Sequence, residues 1–373
     1  MKKIAVLGSG MVGSAMAMDL SIDFQVTIAD IDNRNLGKIP TTYPIKKIQA
    51  DCTNPGKLKE IISDVDLVIG AMPGFLGYES VRNVIALKKN IVDISFFPED
   101  TFGLDEEAKR NGVIAITDCG VAPGMGNILL GYHNKRMQIE SFECYVGGLP
   151  FERHFPFEYK APFSPIDVIE EYTREARFVV NGRIVIKPAL TDPELIEFPG
   201  IGTLEAFNSD GLRSLIKTIN APNMIEKTLR YPGHIRLIQA LKAAGFFSQE
   251  AIDIQGHKIK PIDFTSALLF EQWKLQPDEN EFTVMKIVIS GTEAGTEGKY
   301  IYYLLDFYDE KTGISSMART TGYTATAVAN LVLSGKYTRV GISPPDYIGE
   351  DEFCYNFVLN YLKDRGVVYR LEK

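Results

Sequence analysis

The sequence predicts an α/β protein, a doubly wound parallel sheet with a second, α+β domain inserted into it. Three observations carry this reading. Residues 1–125 alternate short apolar strands with amphipathic helices, the pattern of a parallel sheet covered on both faces. From Gly126 the texture changes to Pro/Phe-rich loops and longer, more polar strands, which fits an antiparallel sheet over 126–316. Residues 317–373 return to helices and a short strand, so the chain is expected to come back and complete the first domain, leaving a cleft between the two.

The first elements in order are a strand, Lys3–Leu7, the turn Gly8-Ser9-Gly10-Met11-Val12-Gly13, a helix to Leu20, and a strand, Gln25–Ala29, followed by Asp30 and Ile31. This is the dinucleotide fingerprint of a Rossmann-type domain. Gly8 makes the tight turn, Gly10 lets a pyrophosphate approach the backbone, and Gly13 lets the helix lie close on the strand. The phosphates then meet free N–H groups at a helix N-terminus. Asp30 stands at the end of the second strand, where a carboxylate accepts both ribose hydroxyls and repels a 2′-phosphate, so the expected cofactor is NAD rather than NADP. The competing reading is a secretory leader, because Lys2 and Lys3 precede an apolar run and Ala15-Met16-Ala17 resembles a cleavage site. Three glycines interrupt that run, and the next strand ends on an acid.

Further strands are expected at Ile45–Gln49, Leu67–Ala71, Asn90–Ile94 and Val113–Thr117. Their C-terminal ends carry Asp51-Cys52, Ala71-Met72-Pro73, Asp93-Ile94-Ser95-Phe96, and Asp118 through Gly120-Val121-Ala122-Pro123. Ligands bind at that edge of an open α/β sheet, so these residues are the expected cofactor and reaction wall. In the second domain Ser164-Pro165-Ile166-Asp167 starts a helix, and Phe282–Ser290 and Tyr300–Phe307 are strands. A helix from Met317 to Leu333, a terminal helix over Asp346–Arg365 and a last strand, Val367–Leu371, close the chain.

The net charge of −8 argues against a nucleic-acid or anionic-membrane partner, since either would call for a basic patch. No run of apolar residues is long enough to span a bilayer. The four cysteines, Cys52, Cys119, Cys144 and Cys354, lack ligand spacing, so neither a metal site nor a disulfide framework is expected and the cytoplasm is the default compartment.

Several segments together resemble the saccharopine dehydrogenase superfamily, and within it most closely the lysine 6-dehydrogenases. They include Ile69 to Gly77, Val92 to Phe96, Gly120 to Asn127, Tyr145 to Pro150, Ser209 to Ser214, Thr228 to His234, and Arg319 to Gly322. The resemblance implies a Rossmann domain with a catalytic, dimer-forming α+β domain, and a homodimer or larger homo-oligomer. It also implies oxidation at a carbon bearing an amine in a small amino-acid substrate. Saccharopine-forming relatives carry an aspartate and a cysteine where this chain has Ala122 and Val146. That departure points to NAD-dependent oxidative deamination of the terminal amine of L-lysine. The alternatives are a saccharopine- or carboxynorspermidine-type reductase and a non-catalytic NAD sensor.

In that context Ser95 and Phe96 are expected to flank the nicotinamide and the substrate amine. Gly147 and Gly148 are expected to let substrate approach the backbone, with a strand bulge as the alternative. Arg213 and Arg230 are candidate carboxylate holders, because guanidinium binds carboxylate as a fork; a structural ion pair is the other use of either. His234 is a candidate acid or base, or else a helix cap. Asp93, Asp118 and Asp210 are carboxylates suited to an ammonium.

Overall fold

A computed structural model describes residues 1–276 and 279–372. The first sheet is built from β1 (Lys3–Leu7), β2 (Gln25–Asp30), β3 (Ile45–Gln49), β4 (Leu67–Gly70), β5 (Asn90–Asp93) and β6 (Ile114–Ile116). It runs in the order β3-β2-β1-β4-β5-β6 with every pairing parallel. The order reverses at β1, and the glycine turn lies at that switch point, where a crevice opens at the strand ends. β1 and β4 are apolar on both faces because helices cover both sides of the sheet.

The second domain begins with the long β7 (Gln138–Pro150), followed by β8 (Ala176–Val180), β9 (Arg183–Lys187), β10 (Glu194–Phe198), β11 (Gly202–Asn208) and β12 (Asn223–Arg230). After the small hairpin of β13 (Ile252–Ile254) and β14 (His257–Ile259) come β15 (Glu281–Glu293) and β16 (Thr296–Phe307). The central order is β10-β11-β12-β7-β15-β16. This sheet is mixed rather than purely antiparallel, since β12 runs parallel to β7, with Thr228 beside Val146.

The return segment divides between the sheets. β17 (Gly341–Ile342) adds a parallel strand beside β6, as a completing element of the first domain would. The last strand, β18 (Tyr369–Glu372), instead pairs antiparallel with β16 on the edge of the second sheet. The expected terminal helix is two helices, Asp346–Gly349 and Glu352–Asp364, the second capped by Asp351, which accepts from the Cys354 amide at 2.9 Å.

The helix Ser316–Leu333 fixes the two halves relative to each other. Its first amides, Ser316 and Met317, donate to the carboxylate of Glu281 at the start of β15. Further along, Gly322 lies against Met16 and Val12 of the helix Met11–Leu20. One continuous apolar core therefore runs from β1 to β15. Burial of this kind stabilises by roughly 25 cal/mol per Å² of apolar surface, so the cleft between the sheets has firm walls.

Candidate active site

A cavity of about 670 Å³ lies between the C-terminal edge of the parallel sheet and the face of β7 and β12. Its first half has the features of a dinucleotide cradle. Gly8, at φ 103°, lies so close to the Ala71 carbonyl that a Cβ would fall 2.4 Å from the oxygen, and a Cβ on Gly13 would fall 2.1 Å from the Gly8 oxygen. Gly10 has nothing within 4 Å of where its Cβ would stand, and no side chain caps the helix that it opens. Backbone amides and space are thus offered together, which suits a pyrophosphate. Met11, Val12, Ile31, Cys52, Ala71, Met72, Pro73, Gly120, Val121 and Pro123 line the same half.

At the ribose end Asp30 accepts from the amides of Ser9 at 2.6 Å and Asp32 at 2.7 Å, so it also braces the glycine turn. Ser9 itself is buried behind the wall and offers the cavity nothing but this amide bond to Asp30. Asp32 holds the Arg34 guanidinium through contacts of 2.7–3.0 Å. Asp51 turns onto Thr53, accepting from its amide at 2.9 Å and its hydroxyl at 2.6 Å. Burial pushes the Cys52 thiol up to about 11, so it is not a nucleophile at neutral pH.

The second half is where a substrate would meet the nicotinamide. Ser95 and the half-buried Phe96 line it, together with Gly147, Gly148, Asp210 and Arg230. Arg230 is 1% exposed, donates to Glu171 at 2.7 Å and to the Tyr172 hydroxyl at 3.1 Å, and lies over the Tyr159 ring. Asp210 is gripped by Arg177 through two contacts of 2.8 Å.

Three expected roles are corrected by the geometry. Asp93 is fully buried beneath Ser95, accepting its amide at 2.8 Å and its hydroxyl at 3.1 Å, so it positions Ser95 and does not reach the cavity. Arg213 is tied to Asp118 at 3.0 Å and to the Phe97 carbonyl, and it too is absent from the cavity wall. His234 is buried with both ring nitrogens occupied, by Tyr172 at 2.9 Å and the Phe157 carbonyl at 2.8 Å. Burial and the Arg230 charge push it down to about 3, so it is neutral at physiological pH and cannot serve as a proton shuttle. Gly147 and Gly148 line the cavity with bare backbone, and a side chain at either would collide with protein. A Cβ would fall 2.7 Å from the Leu229 oxygen at the first, and 2.5 Å from Pro162 and 2.6 Å from Met317 at the second.

Sequence reading passed over Asp167, Glu171 and Glu226, which all line the substrate half. Burial raises Asp167 to about 6 and Glu226 to about 8, and raises Glu171 against the opposing charge of Arg230. A signal for Glu226 was present. Alternation along a strand places 226, 228 and 230 on one face, and Arg230 was already singled out. With Asp210 these make four carboxyls, and among the described lining residues Arg230 is their one cationic side chain.

The fold and this cavity define a protein built on a nucleotide-binding domain of the NAD(P) type. Its sequence matches the saccharopine dehydrogenase NADP binding domain over residues 4–116 and the saccharopine dehydrogenase C-terminal domain over 120–367, and the chain belongs to the saccharopine dehydrogenase family. It is 22% identical to the mitochondrial alpha-aminoadipic semialdehyde synthase of Mus musculus, covering 100% of this chain and 48% of that protein. It is also 22% identical to the carboxyaminopropylagmatine dehydrogenase of Synechocystis sp., covering 95% and 94% respectively. The chain therefore spans about half the length of the mammalian relatives it matches. The solved saccharopine dehydrogenase (L-Glu forming) of Saccharomyces cerevisiae shares the fold, with a TM-score of 0.79 at 22% identity over 100% of this chain and 99% of that one. Among the described residues no helix is long and apolar enough to cross a membrane, and no group of His, Cys, Asp or Glu is arranged to hold a metal.

Proposed function

We propose that the protein is an NAD-dependent amine dehydrogenase that oxidises the terminal amine of L-lysine to 2-aminoadipate 6-semialdehyde with release of ammonia. The observation that carries this reading is the acid lining of the substrate half, where Asp210 is paired with Arg177 and Glu171 with Arg230 while Asp167 and Glu226 have no cationic partner among the described residues. Such a wall favours a substrate with more ammonium than carboxylate groups. Lysine, with two ammonium groups and one carboxylate, has that balance, and Arg230 supplies the cation for the carboxylate. Asp30 and Asp32 at the ribose end support NAD. Ala122 and Val146 line the cavity without polar groups for a glutamate half.

Bound nicotinamide supplies the hydride acceptor. The chain's own work is to hold the amine carbon beside Ser95 and Phe96, remove a proton from an ammonium of pKa about 10.4, and admit water to the resulting iminium. We place residues 1–125 as the cofactor unit and 126–316 as the substrate unit, with 317–373 shared between them. We also place the protein in the cytoplasm as a homodimer or larger homo-oligomer, which the family resemblance and the exposed Ile184, Ile186 and Leu195 support.

The test supplies L-lysine with NAD and measures ammonia and NADH together, expecting equal amounts, with cadaverine a poor substrate because it has no carboxylate for Arg230. The second reading is a secondary-amine dehydrogenase, favoured by the near full-length similarity to the Synechocystis protein. Rapid oxidation of saccharopine without ammonia would establish it and overturn the lysine reading. No NADH from any amine would leave a dinucleotide sensor.

A further inference from the structure

We infer that Glu226 is the catalytic base that takes the proton from the substrate ammonium. The inference rests on the proposed amine oxidation, and the acids of the cavity differ in whether the protein already occupies them. Asp210 is occupied by Arg177 and Glu171 by Arg230. Asp167 has the Ser164 hydroxyl and the Gly74 amide beside it, and both pull its carboxyl down against burial, whereas no such donor acts on Glu226. Among the described residues no hydrogen bond or ion pair ends on the Glu226 carboxyl, although the residue is 5% exposed and lines the cavity.

A buried carboxyl without a protein donor is costly unless something else satisfies it. Glu226 has one direction in which to find a partner. It lies on the face of β12 that carries Thr228 and Arg230, and Gly211 makes room for it. A Cβ at 211 would fall 1.7 Å from Oε1 and 2.0 Å from Cδ. The group is therefore pressed between backbone and cavity, where the partner is the ligand.

The charges around it come from several elements. Asp210 follows β11, Asp118 follows β6 and Glu171 lies on the helix Pro165–Thr173; all three disfavour ionisation, while Arg213 favours it. Together with burial these leave the carboxyl protonated in the free protein near neutral pH and ready to ionise when a cation arrives. An N–H bond of the ammonium breaks and its proton goes to Glu226, leaving the neutral amine with its lone pair. Hydride leaves the amine carbon for the nicotinamide, giving the iminium. Water adds, ammonia departs as ammonium, and Glu226 returns its proton to solvent.

The experiment uses the full chain and Glu226→Gln. General-base catalysis contributes about 10²–10⁴-fold, so kcat with lysine should fall by that factor while NADH affinity is kept. The acidic limb of the kcat/KM profile near pH 8 should disappear in the glutamine variant and persist in Glu226→Asp. A second readout needs no turnover. Lysine binding to the NADH complex at pH 7, followed calorimetrically in two buffers of different ionisation enthalpy, should release close to one proton in the parent and none in Glu226→Gln. An unchanged pH profile and unchanged proton release in the variant would overturn the assignment. If Glu226→Gln does not fold, retention of the limb in Glu226→Asp with proton release by the parent supports it, and their absence overturns it. If the parent makes no NADH from lysine, the proposed reaction fails by itself. Proton release on binding cadaverine, compared in parent and variant, then decides the role of Glu226 separately.

Discussion

Arg213→Ala separates an arginine that holds substrate from one that holds the fold. The Arg213 and Asp118 side chains are each 3% exposed and meet at 3.0 Å, with Arg213 also donating to the Phe97 carbonyl. Removing the guanidinium strands the Asp118 carboxylate beside Asp93. That neighbour is itself fully buried and held well above the usual carboxylate range by desolvation, with Asp118 adding to the effect. Breaking a buried pair by deleting one partner costs about 3–5 kcal/mol. Arg213 has φ 51°, but alanine also carries a Cβ, so the backbone strain is similar in both proteins and nearly cancels. With an unfolding entropy of roughly 2.1 cal/mol/K per residue, a chain of 373 residues shifts by about 1.3 °C per kcal/mol, so the thermal midpoint should drop by roughly 4–6 °C. Scanning fluorimetry measures that drop, and initial rates at a temperature where both proteins are folded give the KM for lysine, which should change little. Asp118→Ala with Arg213→Ala should recover part of the loss, because no lone charge then remains. An unchanged midpoint with a strongly raised KM would refute the structural role and return Arg213 to the substrate.

Two further outcomes are expected. Asp30→Ala should narrow the preference of kcat/KM for NAD over NADP, and it should also weaken NAD binding because the Ser9 and Asp32 amides lose their acceptor; a parent enzyme that prefers NADP would overturn the assignment of that strand end. His234 and His133 are buried with pKa values pushed down to about 3 and about 4, against about 6.5 when unfolded, so the unfolded chain binds more protons between those limits. Stability should be full above about pH 6.5 and fall as pH drops below it, and His234→Asn should flatten part of that slope in urea titrations without moving the pH profile of kcat.

The sequence by itself determined the parts that depend on local covalent pattern. Glycines at 8, 10 and 13 between two apolar strands leave one economical conformation, so the turn, its helix and the acid at 30 were legible before any tertiary contact was known. The same holds for the alternation of strands and helices through residue 125 and for the change of texture after it. Tertiary structure decided the pairings of charge. Arg213 and Asp118 are 95 positions apart, Arg230 and Glu171 59 apart, and Arg177 and Asp210 33 apart, and nothing local says which acid neutralises which base. It also decided the fate of His234, because burial on all sides rather than its Pro-Gly setting makes it neutral and keeps it from the cavity. β18 joined the second sheet instead of the first because edge pairing with β16 satisfies its backbone groups, a choice open to any short strand. Glu226 shows where the two levels meet. Period-two alternation put it on the face of Arg230, but only the folded chain shows that Asp210 and Glu171 already have protein partners and that it does not.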